Sequence, residues 1–335
     1  MRKTFLVISL LATLFLGAQD IHFSQFYASP LTLNPAMTGF LNGDCRAGVM
    51  YRNQWKSVTV PFVTISGAYE HKFTLENGDQ FGAGLVVVSD KSGDANFNIT
   101  KIHLSGAYHK KLSENQQIAL GFQPGYVQKR IDIANLTFPN QYDNSTGLFD
   151  PNNPSGEPLN MDFDVSYIDL NMGALWSGRF GDNLSAYAGV GAFHLNMPQE
   201  SFYSGGDSRL PMRLVVHGGA RIITGENISV VPDFIYMTQG GVTELNIGGA
   251  VEYSLPDNEN PATLLSLGGY YRNKDALIVT GGVGYKNMKL GLCYDFNTSD
   301  LSVASANKGG FELSFTYICF LNKLPTIMAI PCRAF

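Results

Sequence analysis

A period of two restricts the fold of this chain more than any other feature. From Asp44 to about residue 320, apolar and polar residues alternate in segment after segment. Val63, Ile65, Gly67 and Tyr69 interleave with Thr64, Ser66, Ala68 and Glu70. Leu245, Ile247, Gly249, Val251 and Tyr253 interleave with Glu244, Asn246, Gly248 and Glu252, and Phe311, Leu313, Phe315 and Tyr317 with Glu312, Ser314 and Thr316. Successive side chains of a strand point to opposite faces, so each segment reads as a strand with one apolar and one polar face. A soluble sandwich alternates as well. Here the polar face carries charge and glycine, and the apolar face often ends in an aromatic ring. That is the pattern of a transmembrane antiparallel β-barrel, apolar outside and polar inside, with aromatic girdles at the interfaces.

Composition narrows the alternatives. Charged residues make up 15% of the chain, against about 25% in ordinary soluble domains. With 36 glycines and 12% aromatics in 335 residues, the chain is neither a coiled coil nor disordered. A formal charge of -5 without a basic block argues against nucleic acid as a partner.

The connections set the topology. Short turns at 76–79, 113–115, 181–183, 225–227 and 257–260 alternate with mostly longer links at 89–96, 132–164, 196–210 and 297–309. Outer-membrane barrels have short periplasmic turns and longer extracellular loops. About fourteen strands are expected, at 44–54, 58–72, 80–90, 97–112, 116–131, 165–179, 184–195, 211–223, 228–238, 243–253, 262–272, 276–286, 288–297 and 310–320. An even count leaves both flanks, 19–43 and 321–335, on the periplasmic side. Residues 1–18 read as a signal peptide, with Arg2 and Lys3 before the apolar run Phe5–Leu16 and cleavage after Ala18. That run falls short of the ~20 apolar residues of a membrane-spanning helix. The organisation is therefore 1–18 signal peptide, 19–43 N-terminal periplasmic or plug segment, 44–320 all-β barrel and 321–335 C-terminal periplasmic tail.

No chemistry stands out. The six histidines have no metal-ligand spacing, and the acidic stretch Asp143–Asp150 lacks the EF-hand pattern and reads as a solvated loop. There is no G-x-S-x-G, phosphate-binding loop or paired-carboxylate signature. The expectation is a non-enzyme without metal or cofactor. Cys45 opens the first strand and Cys319 closes the last, and those strands pair in a closed barrel. A bridge needs a Cα separation of about 4.4–6.8 Å, so register decides between a disulfide and two small unpaired hydrophobes. Cys293 faces the lumen by parity, and Cys332 lies in the tail.

The longest motif precedes the first strand: Phe23-Ser24-Gln25-Phe26-Tyr27-Ala28-Ser29-Pro30-Leu31-Thr32-Leu33-Asn34-Pro35-Ala36-Met37-Thr38-Gly39, followed by Tyr51-Arg52-Asn53-Gln54-Trp55. With the ending Pro331-Cys332-Arg333-Ala334-Phe335, it resembles the PorP/SprF proteins of the type IX secretion system of Bacteroidota. The ending departs from the family's in having Arg333-Ala334 where Pro-Arg is usual. The resemblance covers the whole chain. It implies a barrel in the outer membrane of a Gram-negative bacterium that supports secretion or cell-surface anchoring of client proteins, in some members gliding adhesins. The implied partners are the client's C-terminal domain, the type IX translocon, periplasmic ring and peptidoglycan-linked components, and outer-membrane lipid. A porin or channel for small solutes is the alternative.

The residues themselves suggest two partner surfaces. Phe23, Phe26, Tyr27 and Leu33 are too apolar for a free periplasmic tail, and Asn34-Pro35 breaks regular structure. This segment packs inside the lower barrel or against its rim, as a plug or as a docking element. Phe23, Phe26, Tyr27, Asn34, Pro35 and Trp55 are the candidates on the periplasmic side. In the loop 132–164, Phe138, Tyr142 and Phe149 are either an outer platform for the client or the barrel's own lid; loops this long are usually functional or disordered.

Overall fold

The computed structural model describes residues 20–55, 60–93, 97–132, 136–150, 152–156, 163–255, 263–300 and 302–321. The expected signal peptide, Cys332 and nearly all of the expected C-terminal tail lie outside the described residues. Fourteen antiparallel strands close into one barrel. They are β1 (Cys45–Gln54), β2 (Phe62–Thr74), β3 (Gln80–Ser92), β4 (Phe97–Ser113), β5 (Gln116–Arg130), β6 (Asp164–Phe180) and β7 (Leu184–Phe193). The second half is β8 (Arg213–Ile223), β9 (Ile228–Gln239), β10 (Val242–Leu255), β11 (Thr263–Arg272), β12 (Ala276–Tyr285), β13 (Met288–Asn297) and β14 (Lys308–Cys319). Each strand pairs with its neighbours in the chain, and β14 closes on β1. A hairpin in the longest loop pairs Tyr142–Asp143 with Leu148–Phe149.

The strand ends differ from expectation where the backbone cannot continue a ladder. β2 starts at Phe62 and β8 at Arg213; Pro61 and Pro211 just before them have no N–H to donate. β7 stops at Phe193 because His194 adopts a positive φ of 59°. Among the described residues, the connections at one end are tight turns; the expected turn at 257–260 lies outside them. The other end carries the long loops, although three links there, at 93–96, Gly240–Gly241 and 273–275, are short, the first of them against the expectation of a longer link at 89–96. These are called below the short-turn end and the long-loop end.

Parity decides each side chain's environment. Outward Leu104, Leu120 and Leu267 are 63–68% exposed, whereas inward Arg52, Glu70, Glu252 and Glu312 are buried. Outward aromatics form two girdles. Tyr69, Tyr108, Tyr253, Tyr285 and Tyr317 ring the short-turn end, and Tyr126, Tyr236, Tyr271 and Tyr294 the long-loop end. Closure leaves no open sheet edge, so backbone polar groups are satisfied without water, as a lipid environment demands.

The chain before β1 runs through the interior. It forms a 3-10 turn (Phe26–Ala28), one helical turn (Pro30–Leu33) and a second 3-10 turn (Pro35–Met37). Pro30 and Pro35 each occupy the first position of a turn, where a missing N–H costs nothing. Asp20 lies at the long-loop end beside Gln239 and Arg213. The carbonyl of Leu41 accepts from Lys72 Nζ (3.0 Å) near the short-turn end, just before the chain enters β1. The segment therefore does not stay at the short-turn end, as the sequence reading expects; only its last few residues do. Cations and carboxylates in the long-loop half of the lumen draw its first residues up the barrel.

Candidate functional site: the lumenal interface

One side of the lumen receives the segment by shape. Gly82, Gly121 and Gly173 point inward from β3, β5 and β6. A methyl group at Gly121 would overlap the Pro35 backbone, one at Gly173 the Asn34 side chain, and one at Gly82 the Thr38 carbonyl. The segment lies backbone to backbone in this groove. Gly39 has a φ of +80° where it meets Gly82, a conformation that glycine adopts without penalty. Leu33, Ala36, Met37 and Phe40 fill the space with Ala119, Leu175, Tyr187 and Val215.

Asn34 is the polar centre of that side and is fully buried. Its Nδ2 donates to the Ala174 carbonyl (3.0 Å) and meets His217 Nε2 (2.9 Å), while its Oδ1 accepts from the Ala36 N–H (2.9 Å). Both amide hydrogens and the oxygen are thus used, as burial requires. Further down, the Thr38 carbonyl meets His109 Nε2 at 2.7 Å, and the Gly39 N–H donates to Glu70 (2.6 Å).

The other side holds the segment by charge. The N–H groups of Ser24 and Gln25 donate to the two oxygens of Glu312 (2.6 and 2.8 Å). Arg52 donates to Glu312 (2.8 Å) and to the His22 carbonyl (2.8 Å). Ser24 Oγ donates to Asp295 (2.6 Å) and accepts from Arg272. His22 reaches Glu244 at 3.0 Å. At the long-loop end Asp20 sits among Lys101, Arg213 (3.3 Å) and His194 (3.2 Å). Burial opposes its ionisation, yet these cations hold its carboxyl well below the usual carboxylate range.

The candidates divide accordingly. Phe23, Phe26, Asn34 and Pro35 are buried and Tyr27 half-buried inside the barrel, so the five face its wall and not the periplasm. Phe26 packs edge-on against Tyr27 and Tyr270, with ring centroids 5.8 and 6.1 Å apart. Trp55, expected at the periplasmic rim, follows β1 at the long-loop end and packs against Phe62 (4.8 Å). Phe138 is half-buried; Tyr142 and Phe149 are 43% and 48% exposed and meet edge-to-face across the small hairpin at 5.2 Å. Cys45 and Cys319 are register partners with Cα atoms 5.1 Å apart, joined by a disulfide across the β1–β14 seam.

Sequence reasoning missed the glycine groove and the pairing of Arg52, Asp295 and Glu312. Their signal was present in the charged and glycine-rich inward positions. Which position faces which depends on closure of the barrel.

The fold is shared with solved outer-membrane proteins. The toluene transporter TbuX of Ralstonia pickettii superposes with a TM-score of 0.50 at 11% identity, over 87% of this chain and 94% of that one. The toluene transporter TodX of Pseudomonas putida gives 0.51 at 11% identity, over 89% and 93%. No curated protein sequence matches the chain. Residues 16–317 match the family described as type IX secretion system membrane protein PorP/SprF, and the chain, an outer-membrane β-barrel, belongs to that family.

Proposed function

We propose that this barrel serves type IX secretion as an outer-membrane anchor that works by protein–protein contact, with its lumen closed by residues 20–41. The observation that carries this reading is the lumenal interface. The segment is seated by steric fit on one side and by buried ion pairs on the other, and the cavities beside it among the described residues are water-sized. A barrel sealed in this way offers partners its loops rather than a pore. The loop 132–164 is the client platform in this reading. Its exposed Tyr142, Leu148 and Phe149 are residues that solubility does not call for, and aromatics are enriched among binding hot spots.

A channel for small solutes is the competing reading, favoured by the fold shared with TbuX and TodX. Fold alone does not carry a substrate. Planar-bilayer recording on the full-length barrel, paired with deletion of residues 140–160, separates the two. The anchor reading expects no steady conductance from the intact barrel. It also expects the deletion variant to stay folded and heat-modifiable on gels while client retention or secretion is lost. Steady conductance together with unchanged client export would overturn it.

A further inference from the structure

The segment fills the lumen unevenly. On the glycine-groove side, inward Ala119, Leu175 and Ser177 are fully buried. On the opposite side, in the short-turn half, inward Gly48, Ala68, Ser266, Gly282 and Thr316 are only half-buried. A cavity lies there below Tyr27, between the segment and β1, β11, β12, β13 and β14. Its polar lining is Gln25, Arg46, Ser266, Lys289, Ser314 and Thr316, and none of its lining residues is a carboxylate.

The lining is rich in donors. Gln25 is 1% exposed; its Oε1 accepts from Ser314 Oγ (3.0 Å), and its Nε2 has no protein partner. A buried amide donor without a partner is costly. Arg46 turns its Nε and Nη2 toward Glu70 (2.7 and 2.6 Å), and a guanidinium has further N–H groups to offer. Lys289 stands 3.6 Å from Glu252 at the short-turn end of β13 and is partly open to solvent. Gly291 makes the room: a side chain there would collide with Ser314 Oγ and Gln25 Oε1. Two cations, the hydroxyls of Ser266 and Thr316 and an unpartnered amide around a water-sized space form the donor set of a compact anion.

We propose that this cavity binds one small monovalent anion, a halide or the carboxylate group of a short organic acid, entering from the short-turn end. The anion bridges Gln25 on the segment to Lys289 on the wall. It thereby adds a side-chain tether to the segment beside the hold that Glu312 has on the Gln25 N–H.

Unfolding of the full-length barrel in detergent tests this, followed by loss of the heat-modifiable gel form at constant ionic strength. Gluconate, too large for the cavity, is replaced stepwise by chloride, bromide, formate or acetate. The midpoint is expected to rise and saturate with the compact anions, and Gln25→Leu and Lys289→Met are each expected to weaken the apparent affinity at least tenfold. The halide and carboxylate arms tell the two sources apart. Crystals grown in bromide should show an anomalous peak between Gln25 and Lys289, a readout that does not depend on either variant folding. Equal midpoints in all anions, a rise that both variants retain, or a bromide-grown crystal without the peak would overturn the proposal and leave water as the occupant.

Discussion

The two sides of the lumen grip the same segment by different physics. Along β3 to β7 the contact is steric: glycines let backbone touch backbone, and the segment's buried Asn34 spends all its hydrogen bonds. Along β1 and β10 to β14 it is ionic, through Arg52, Glu244, Arg272, Asp295 and Glu312. Steric fit is short-ranged and tolerates no added atom. Buried ion pairs contribute little net stability against apolar replacements but penalise the loss of one partner heavily. One side therefore specifies where the segment lies, and the other makes partial removal expensive.

Each side can be broken separately. The largest effect is expected from Arg52→Met, which takes from Glu312 the guanidinium 2.8 Å away while Asp295 keeps Arg272 at 3.2 Å. Stranding a buried charge in this way costs about 3–5 kcal/mol. Chymotrypsin, which cleaves after Phe and Tyr, should then reach Phe23 to Tyr27 in the folded barrel. Neutralising both partners, Arg52→Met with Glu312→Gln, keeps an acceptor oxygen for the Ser24 and Gln25 N–H groups and should recover part of the protection; if it does not, the ionic side is more than a compensated pair.

Gly121→Leu comes next. Overpacking typically costs about 1–3 kcal/mol, and because it strikes the Pro35 backbone the segment must leave its groove. Expected readouts are bilayer conductance and proteolysis of the N-terminus with the strands intact. A silent barrel would mean that the ionic side alone can seat the segment.

Acid should act on the Asp20 cluster at the long-loop end, whose cations stand on β4, on β8 and just after β7. The folded value of Asp20 lies below its unfolded value of about 3.9, so its stabilisation is complete above that pH and is lost as pH falls through the depressed value. Protection from proteolysis should hold from pH 7 to pH 5 and decline, under pepsin, only in stronger acid. Loss already at pH 5 would assign control to a histidine instead. The smallest effect on the segment, none, is expected of Tyr142→Ala with Phe149→Ala. These exposed rings touch neither side, so client retention should fall while N-terminal protection stays constant.

The wall of this protein was legible in its sequence and its interior was not. Period-two alternation marks strands because the pleat imposes it locally, so all fourteen strands, and the presence of Cys45 and Cys319 on the two that meet at the seam, could be read along the chain, whereas the register that sets them opposite could not. The strand ends that fell short of expectation by two residues or more did so at Pro61, Pro211 and His194, where local backbone rules act. The segment was different. Its apolar residues announced that it packs, but its direction is set by partners such as Glu312, which accepts from Ser24 288 residues away. Asn34-Pro35 read as a break in regular structure. Nothing local in the sequence pairs Asn34 with His217 or places Gly121 under Pro35.

The position of the segment also constrains the order of manufacture. Its first residues lie at the far end of a closed cylinder, pressed against the wall on several sides, and the chain leaves by the near end directly into β1. Threading such a strap into a finished cylinder would mean pushing it past Arg52, Glu70 and Glu312 with every pair still open. The strap precedes all fourteen described strands in the chain, and β14 is the last of them. A wall that curls around the strap and then zips along the β1–β14 seam meets no such obstacle. The Cys45–Cys319 bond, at the point where the strap emerges, then acts as the knot tied after wrapping.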